Sequence, residues 1–184
     1  CTNSDLIIRN AGRKDLRMIL MTFEKLGIKV EPVGEDDIRV PPDQEMMIRR
    51  ELHGAIPRID DAPWPAFPTD LMSIAIVTAT QCEGTVLFFE KMFDGRMFFT
   101  DRLIGMGASI ILCDPHRVVV VGKQQLHASR VQSPDVRAGM ALLIAALCAK
   151  GSTSIGNIRQ IDRGYQQIDQ KLRRLGAHIE RLDD

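Results

Sequence analysis

Two stretches of the chain are apolar at nearly every position. Residues 71–79 read Leu-Met-Ser-Ile-Ala-Ile-Val-Thr-Ala, and residues 138–149 read Ala-Gly-Met-Ala-Leu-Leu-Ile-Ala-Ala-Leu-Cys-Ala. Each sits in a longer helical frame, 68–84 and 134–151, that opens on Pro and closes on Gly. A helix apolar on every face belongs inside a protein rather than on its surface. Elsewhere the pattern is different. Residues 15–26 place Leu16, Ile19, Leu20, Phe23 and Leu26 on one helical face, which predicts an amphipathic helix. Residues 100–105 and 164–175 are read as two further helices of this outer kind. Strands are expected at 5–10, 29–33, 37–40, 85–89, 109–113, 118–121, 154–158 and 178–182, where β-branched and other apolar residues alternate or run together.

These elements recur in one order. The amphipathic helices stop at Lys25-Leu26-Gly27-Ile28, Gly105-Met106-Gly107-Ala108 and Arg174-Leu175-Gly176-Ala177, each as a left-handed glycine cap would stop them. Strand-like residues follow each stop. The chain therefore reads as one domain, 1–184, of three repeats at about 1–60, 61–128 and 129–184. The second and third repeats carry the apolar helix and the first does not, so the sequence reads as a fragment that begins inside its first, incomplete unit. The expected fold class is α/β (α+β). Three helix–strand–helix–strand–strand units would surround a pseudo-threefold axis, with apolar helices inside and sheets and amphipathic helices further out.

Composition narrows the function. The 184 residues hold 24 Lys plus Arg and 24 Asp plus Glu. This balance argues against binding nucleic acid or a membrane surface by bulk charge. No apolar run is long enough to span a bilayer, and no signal peptide opens the chain. Cys82, Cys113 and Cys148 lack paired metal spacing and read as reduced structural thiols of a cytoplasmic protein; Cys1 is where the chain begins. His53, His116, His127 and His178 are scattered and are read as structural or surface residues, with no metal site expected.

Candidate chemistry clusters at the starts of the two apolar helices. Asp70 follows three prolines, Pro63, Pro65 and Pro68. It is either a helix cap or a carboxylate at the mouth of a cleft, able to act as a general base. Asp135 and Arg137 hold the equivalent place on the second helix, where free amides and a guanidinium favour an anion; a capping aspartate beside an exposed arginine is the plainer reading. Arg96, in Phe93-Asp94-Gly95-Arg96, and Arg163, in Ile161-Asp162-Arg163-Gly164-Tyr165, would by themselves be solvated arginines. Pro63-Trp64-Pro65 could serve as a polyproline-type ligand, although it runs straight into an apolar helix. Lys171-Leu172-Arg173-Arg174 reads as a helix face.

Four motifs in order, Ala66-Phe67-Pro68-Thr69-Asp70-Leu71, Phe93-Asp94-Gly95-Arg96, Pro134-Asp135-Val136-Arg137-Ala138 and Ile161-Asp162-Arg163-Gly164-Tyr165, resemble the enolpyruvyl transferases. The likeness runs from about Leu6 to the C-terminus, and it favours members that act on UDP-N-acetylglucosamine over the relative in shikimate metabolism. It implies two similar domains, each an inside-out α/β barrel of three units, with this chain as most of the C-terminal one. The missing N-terminal domain would be its partner. The implied reaction moves the enolpyruvyl group of phosphoenolpyruvate to the 3′-hydroxyl of UDP-N-acetylglucosamine and releases phosphate, the first committed step of peptidoglycan synthesis. No cofactor is implied.

The resemblance also implies roles. Asp70 binds the acceptor hydroxyl and is the candidate to take its proton. Met92 contacts the sugar nucleotide through its backbone. Arg96, Arg137 and Arg163 gather around phosphoenolpyruvate, and Asp135 lies near the reacting carbon. The family usually has Glu-Asn-Arg where this chain has Asp94-Gly95-Arg96, and His and Glu where it has Gln160 and Gln166. These departures leave open a different acceptor, such as shikimate 3-phosphate, or a non-catalytic binding domain. The family's reactive cysteine and N-terminal lysine belong to the other domain, so the chain alone is expected to be inactive.

Overall fold

The structure is a computed structural model that describes residues 3–182; Cys1 lies outside them. The chain begins with β1 (Leu6–Ile8), a 3-10 turn at Arg13–Asp15, and α1 (Arg17–Lys25). β2 (Glu31–Val33) and β3 (Asp37–Val40) follow, and the three strands form an antiparallel sheet in the order β1-β3-β2. Gly27 ends the α1 turn at φ +79°, and a Cβ there would fall 2.5 Å from the backbone nitrogen of Met47. The position needs glycine both for its left-handed backbone and for the close approach of the Met47 backbone.

The next two units share a plan. β4 (Arg58–Asp60) leads through the proline-rich segment and a 3-10 turn at Thr69–Leu71 into α2 (Met72–Thr80), and β5 (Gly84–Phe89) returns parallel to β4. β8 (Arg130–Gln132) likewise leads into α4 (Val136–Cys148), and β9 (Ser154–Gly156) returns parallel to β8. Each apolar helix is thus the crossover between two parallel strands. Between the units lie α3 (Thr100–Gly105), β6 (Ser109–Asp114) and β7 (Arg117–Gly122). β7 pairs antiparallel with both β5 and β6, giving a four-stranded sheet in the order β4-β5-β7-β6.

The core lies where α2 and α4 pack together over this sheet. α2 buries Met72, Ala75, Ile76, Val77 and Ala79, and α4 buries Ala138, Ala141, Leu142 and Ala145. Val86 and Phe88 of β5, with Val118 and Val120 of β7, alternate onto the same core. Small residues on α2 and α4 let the helices approach, while the larger ones fill the sheet side; each fully buried Leu, Ile or Phe contributes about 1.5–3 kcal/mol.

The apolar helices and the α3 and β3 boundaries follow the expectation from sequence. The C-terminal part departs from it. The helix expected over 164–175 is shortened to α6 (Ile168–Arg174), and an unexpected turn of helix, α5 (Arg159–Asp162), precedes it, with Gln167 between them at φ +50°. The expected strand at 178–182 does not form. A strand exists only where a second edge accepts its hydrogen bonds, and residues 178–182 lie beside none; Leu182 is 72% exposed. β4 and β8, three residues each, were not expected; their pairing depends on a partner across a helix. Cys82 is buried as expected, but Cys113 is exposed.

Candidate active site

The starts of α2 and α4 lie side by side and bring the candidate residues together. Asp70 sits in the 3-10 turn ahead of α2, and its side chain caps no helix amide. Its carboxylate instead accepts a hydrogen bond from Arg137 Nε, and Arg96 Nη1 lies 3.9 Å from the same oxygen. The Asp70 carboxylate beside it holds the Arg137 guanidinium above its ordinary range, so the arginine stays charged. The pair is partly exposed, and such pairs contribute only about 0–1 kcal/mol to stability.

Asp135 does cap its helix. Its Oδ1 accepts from the backbone N–H of Arg137 at 2.8 Å and of Ala138 at 3.0 Å. The capping reading therefore holds for Asp135 and fails for Asp70, although the two occupy matching places in the sequence. Ser133 donates to the Asp135 carbonyl at 3.0 Å and steadies the turn from behind.

Arg96 is aimed by two contacts and a turn. Its Nη1 donates to Thr69 Oγ1 at 3.1 Å, and its guanidinium lies 3.9 Å from the Phe93 ring centroid. Gly95, at φ +72°, turns the chain just before it. The loop is pinned further by His116, whose Nδ1 meets the Glu90 carbonyl at 2.8 Å and whose Nε2 meets Asp94 Oδ1 at 2.9 Å. Met92, exposed on this loop, donates its backbone N–H to Glu90 Oε1 at 3.2 Å.

Thr69, Glu90, Arg96, Asp135 and Arg137 line one cleft between the helix starts. Arg163 does not line it. It faces an adjoining open groove of about 330 Å³ with Asp135, Arg137, Gln160 and Gly164, a size at the lower end for a small ligand. Gly164 is required there, because a Cβ would fall 2.5 Å from Val136 Cγ2. Arg163 Nη1 donates to Gln160 Oε1 at 3.3 Å. Arg137 is common to cleft and groove. Two guanidinium groups, Arg96 and Arg137, thus meet beside the exposed Asp70 carboxylate, with Arg163 in the adjoining groove, an arrangement suited to an anion with several acceptor oxygens.

The sequence reading missed two residues here. Tyr165 feels the site: burial first, and then the charge of Asp70, push its phenol above the usual range. Glu90 is 1% exposed and accepts the Thr69 hydroxyl at 2.9 and 3.0 Å. Burial, and next the neighbouring Asp61 carboxyl, push Glu90 up to about 7. A signal for Glu90 existed. Val86 and Phe88 are the buried positions of β5, and the period of two carries that face on to residue 90.

The model of one protein family, described as EPSP synthase (3-phosphoshikimate 1-carboxyvinyltransferase), matches residues 1–184. A UDP-N-acetylglucosamine 1-carboxyvinyltransferase of Bradyrhizobium diazoefficiens is 54% identical over 183 residues, which is 100% of this chain and 42% of that protein. A protein of the same name from Borrelia garinii is 54% identical over 181 residues, 98% of this chain and 42% of its own length. The chain thus spans under half the length of these relatives. Among solved structures, the enolpyruvyl transferase NikO from Streptomyces tendae superposes with a TM-score of 0.83 at 23% identity, over 96% of this chain and 40% of that one. An EPSP synthase from Acinetobacter baumannii gives a TM-score of 0.53 at 18% identity, over 76% of this chain and 31% of that one. These two likenesses concern the fold.

Proposed function

The chain belongs to the EPSP synthase family, and from that premise we propose that it is the C-terminal domain of a UDP-N-acetylglucosamine 1-carboxyvinyltransferase. In this reading the domain is an inside-out barrel of three repeated units, at about 1–60, 61–128 and 129–184. An N-terminal domain of the same enzyme supplies the opposite wall of the cleft. The enzyme works in the cytoplasm at the start of peptidoglycan synthesis, without a cofactor.

The observation that carries the reading is the meeting of Asp70 with Arg96 and Arg137 at the two helix starts, beside the groove of Arg163. The names of the relatives supply the acceptor and the carboxyvinyl group transferred, and the family resemblance supplies phosphoenolpyruvate as the donor. Phosphoenolpyruvate carries a carboxylate and a phosphate, and guanidinium groups bind both in bidentate fashion without losing charge. In the free protein Asp70 balances Arg137 and Arg96. A bound anion takes over that balance and leaves the Asp70 carboxylate for the acceptor hydroxyl. The hydroxyl oxygen forms a bond to the enol carbon as Asp70 receives the hydroxyl proton, the bond from that carbon to the phosphate oxygen breaks, and the departing phosphate takes that proton, which restores the carboxylate. A carboxylate is a weak base for an alcohol, so its proton transfer accompanies bond formation in a closed, dry cleft. Met92 offers its backbone to the sugar nucleotide. Asp135 holds the start of α4 and with it Arg137, close to the reacting carbon.

A second acceptor is favoured by Asp94, Gly95, Gln160 and Gln166, which depart from the usual family residues; Gln160 lines the groove of Arg163. The test is phosphate release by the full-length protein given phosphoenolpyruvate with UDP-N-acetylglucosamine or with shikimate 3-phosphate. Release with the sugar nucleotide, lowered by about 10²-fold or more in Asp70→Asn, is expected. Release with shikimate 3-phosphate alone would replace the acceptor, and none with either would leave a binding domain.

A further inference from the structure

Behind Arg96 lies a pair of buried carboxyls that the reaction described above does not use. Asp61 is 0% exposed and Glu90 1%. Two carboxyl groups side by side in the interior do not both carry charge, because neither has water to dissipate it. Asp61 Oδ1 accepts the backbone N–H of Lys91 at 2.5 Å. Its Oδ2 is buried and meets no donor among the described residues. Burial and the neighbouring Asp61 favour the protonated form of Glu90, whose O–H is the nearest donor in kind for that orphaned oxygen.

Outward from the pair runs a chain of hydrogen bonds with one direction. The Thr69 hydroxyl has a single hydrogen, and it points at the Glu90 carboxyl. Its lone pairs are therefore left to face Arg96 Nη1, which donates to it at 3.1 Å. The other charged groups nearby are already engaged. The Lys91 ammonium turns to Asp60 at 2.7 Å, and His116 is held between the Glu90 carbonyl and Asp94. Asp70 lies beyond Arg96, toward the open cleft. Thus the cation that faces the pair is Arg96, reached through Thr69.

We propose that Glu90 is a positioning residue which, through the Thr69 hydroxyl, fixes the guanidinium of Arg96 for the phosphorylated anion. This rests on the reading that Arg96 binds that anion. A purely structural Glu90 would do no more than tie down the loop through the Met92 amide, and would affect both substrates alike.

The experiment is steady-state kinetics of the full-length protein with four variants, Glu90→Ala, Glu90→Gln, Thr69→Val and Arg96→Lys, and the Glu90→Ala/Arg96→Lys double variant. Glu90→Ala and Thr69→Val are expected to raise the KM for phosphoenolpyruvate about tenfold, the size of a lost hydrogen bond to a charged group. The KM for the acceptor moves less than about twofold. Glu90→Gln copies the protonated acid, since its amide can donate to Asp61 while its oxygen accepts from Thr69; it stays near wild type. In the Arg96→Lys background the Glu90→Ala effect shrinks to less than about twofold, because the two act in one chain. Thr69→Val keeps the side-chain shape and answers the question should Glu90→Ala fail to fold. Unchanged phosphoenolpyruvate KM in Thr69→Val, equal losses for both substrates, or effects that multiply fully in the double variant would overturn the inference while the reaction stood. Absence of turnover in the wild type would overturn the reaction itself, and this inference with it.

Discussion

α2 and α4 are matching helices with different beginnings. Both follow a parallel strand, both are buried on nearly every face, and both have an aspartate at the entrance. Asp135 spends one oxygen on two amides of its own helix. Asp70 makes no such bond, and α2 begins instead through a 3-10 turn with its carboxylate directed across to Arg137. The same residue type in the same place therefore does two jobs: one aspartate secures a helix, and the other is left available to a substrate. An uncapped helix start costs about 1 kcal/mol, and here it coincides with the residue best placed to meet the acceptor.

The largest expected effect tests Asp70. Asp70→Asn should cost about 10²-fold or more in turnover by the full-length protein, while its melting temperature stays within about 2 °C of wild type. Equal loss of stability and activity would mean that the two aspartates share one structural role. Next is the acidity of the region behind α2. Glu90 stands at about 7 in the folded protein against 4.5 ordinarily. The folded state thus holds a proton that the unfolded state has released, and stability falls as pH rises from 4.5 to about 7, by at most about 3 kcal/mol. Urea unfolding at pH 5 and pH 8 should show this slope, and Glu90→Gln should remove it. Carboxylates held low by arginines, such as Asp114 and Asp162, change only at lower pH and leave this window clear.

Two smaller effects probe α4. Gly139 packs so closely that a Cβ would lie 2.2 Å from Ser133 Oγ and 2.7 Å from Ile161 Cγ1. Gly139→Ala should destabilise by about 1–3 kcal/mol in urea unfolding and, by moving α5, raise the KM for phosphoenolpyruvate. Asp135→Ala should cost roughly 1 kcal/mol, whereas Asp135→Asn should cost little because asparagine caps equally well. If Asp135→Asn nevertheless lost turnover, Asp135 would have a chemical role beyond its cap.

The sequence showed α2 and α4 because a run apolar on all faces has one physical meaning. It showed Asp70, Arg96 and Arg137 as candidates because their motifs stand at element boundaries. It did not reveal that the capping aspartate was Asp135 alone, since a cap and a free carboxylate look alike in one dimension. Residues 178–182 misled for the opposite reason: their alternation is sound, but little packs on them, and Leu182 is exposed. Asp61 was hidden because consecutive aspartates beside prolines read as surface, while the parallel pairing of β4 with β5 turns one of them inward.

Asp70 and Arg137 stand 67 residues apart along the chain. No excised peptide could carry their junction, since it exists only while both buried helices remain seated. A ligand that grips this junction draws its affinity from the entire tertiary structure. By mass action it must return that dependence as protection of the whole molecule against heat, growing with the logarithm of ligand concentration. Thermal protection by a phosphorylated acid would thus register occupancy even where no product is formed.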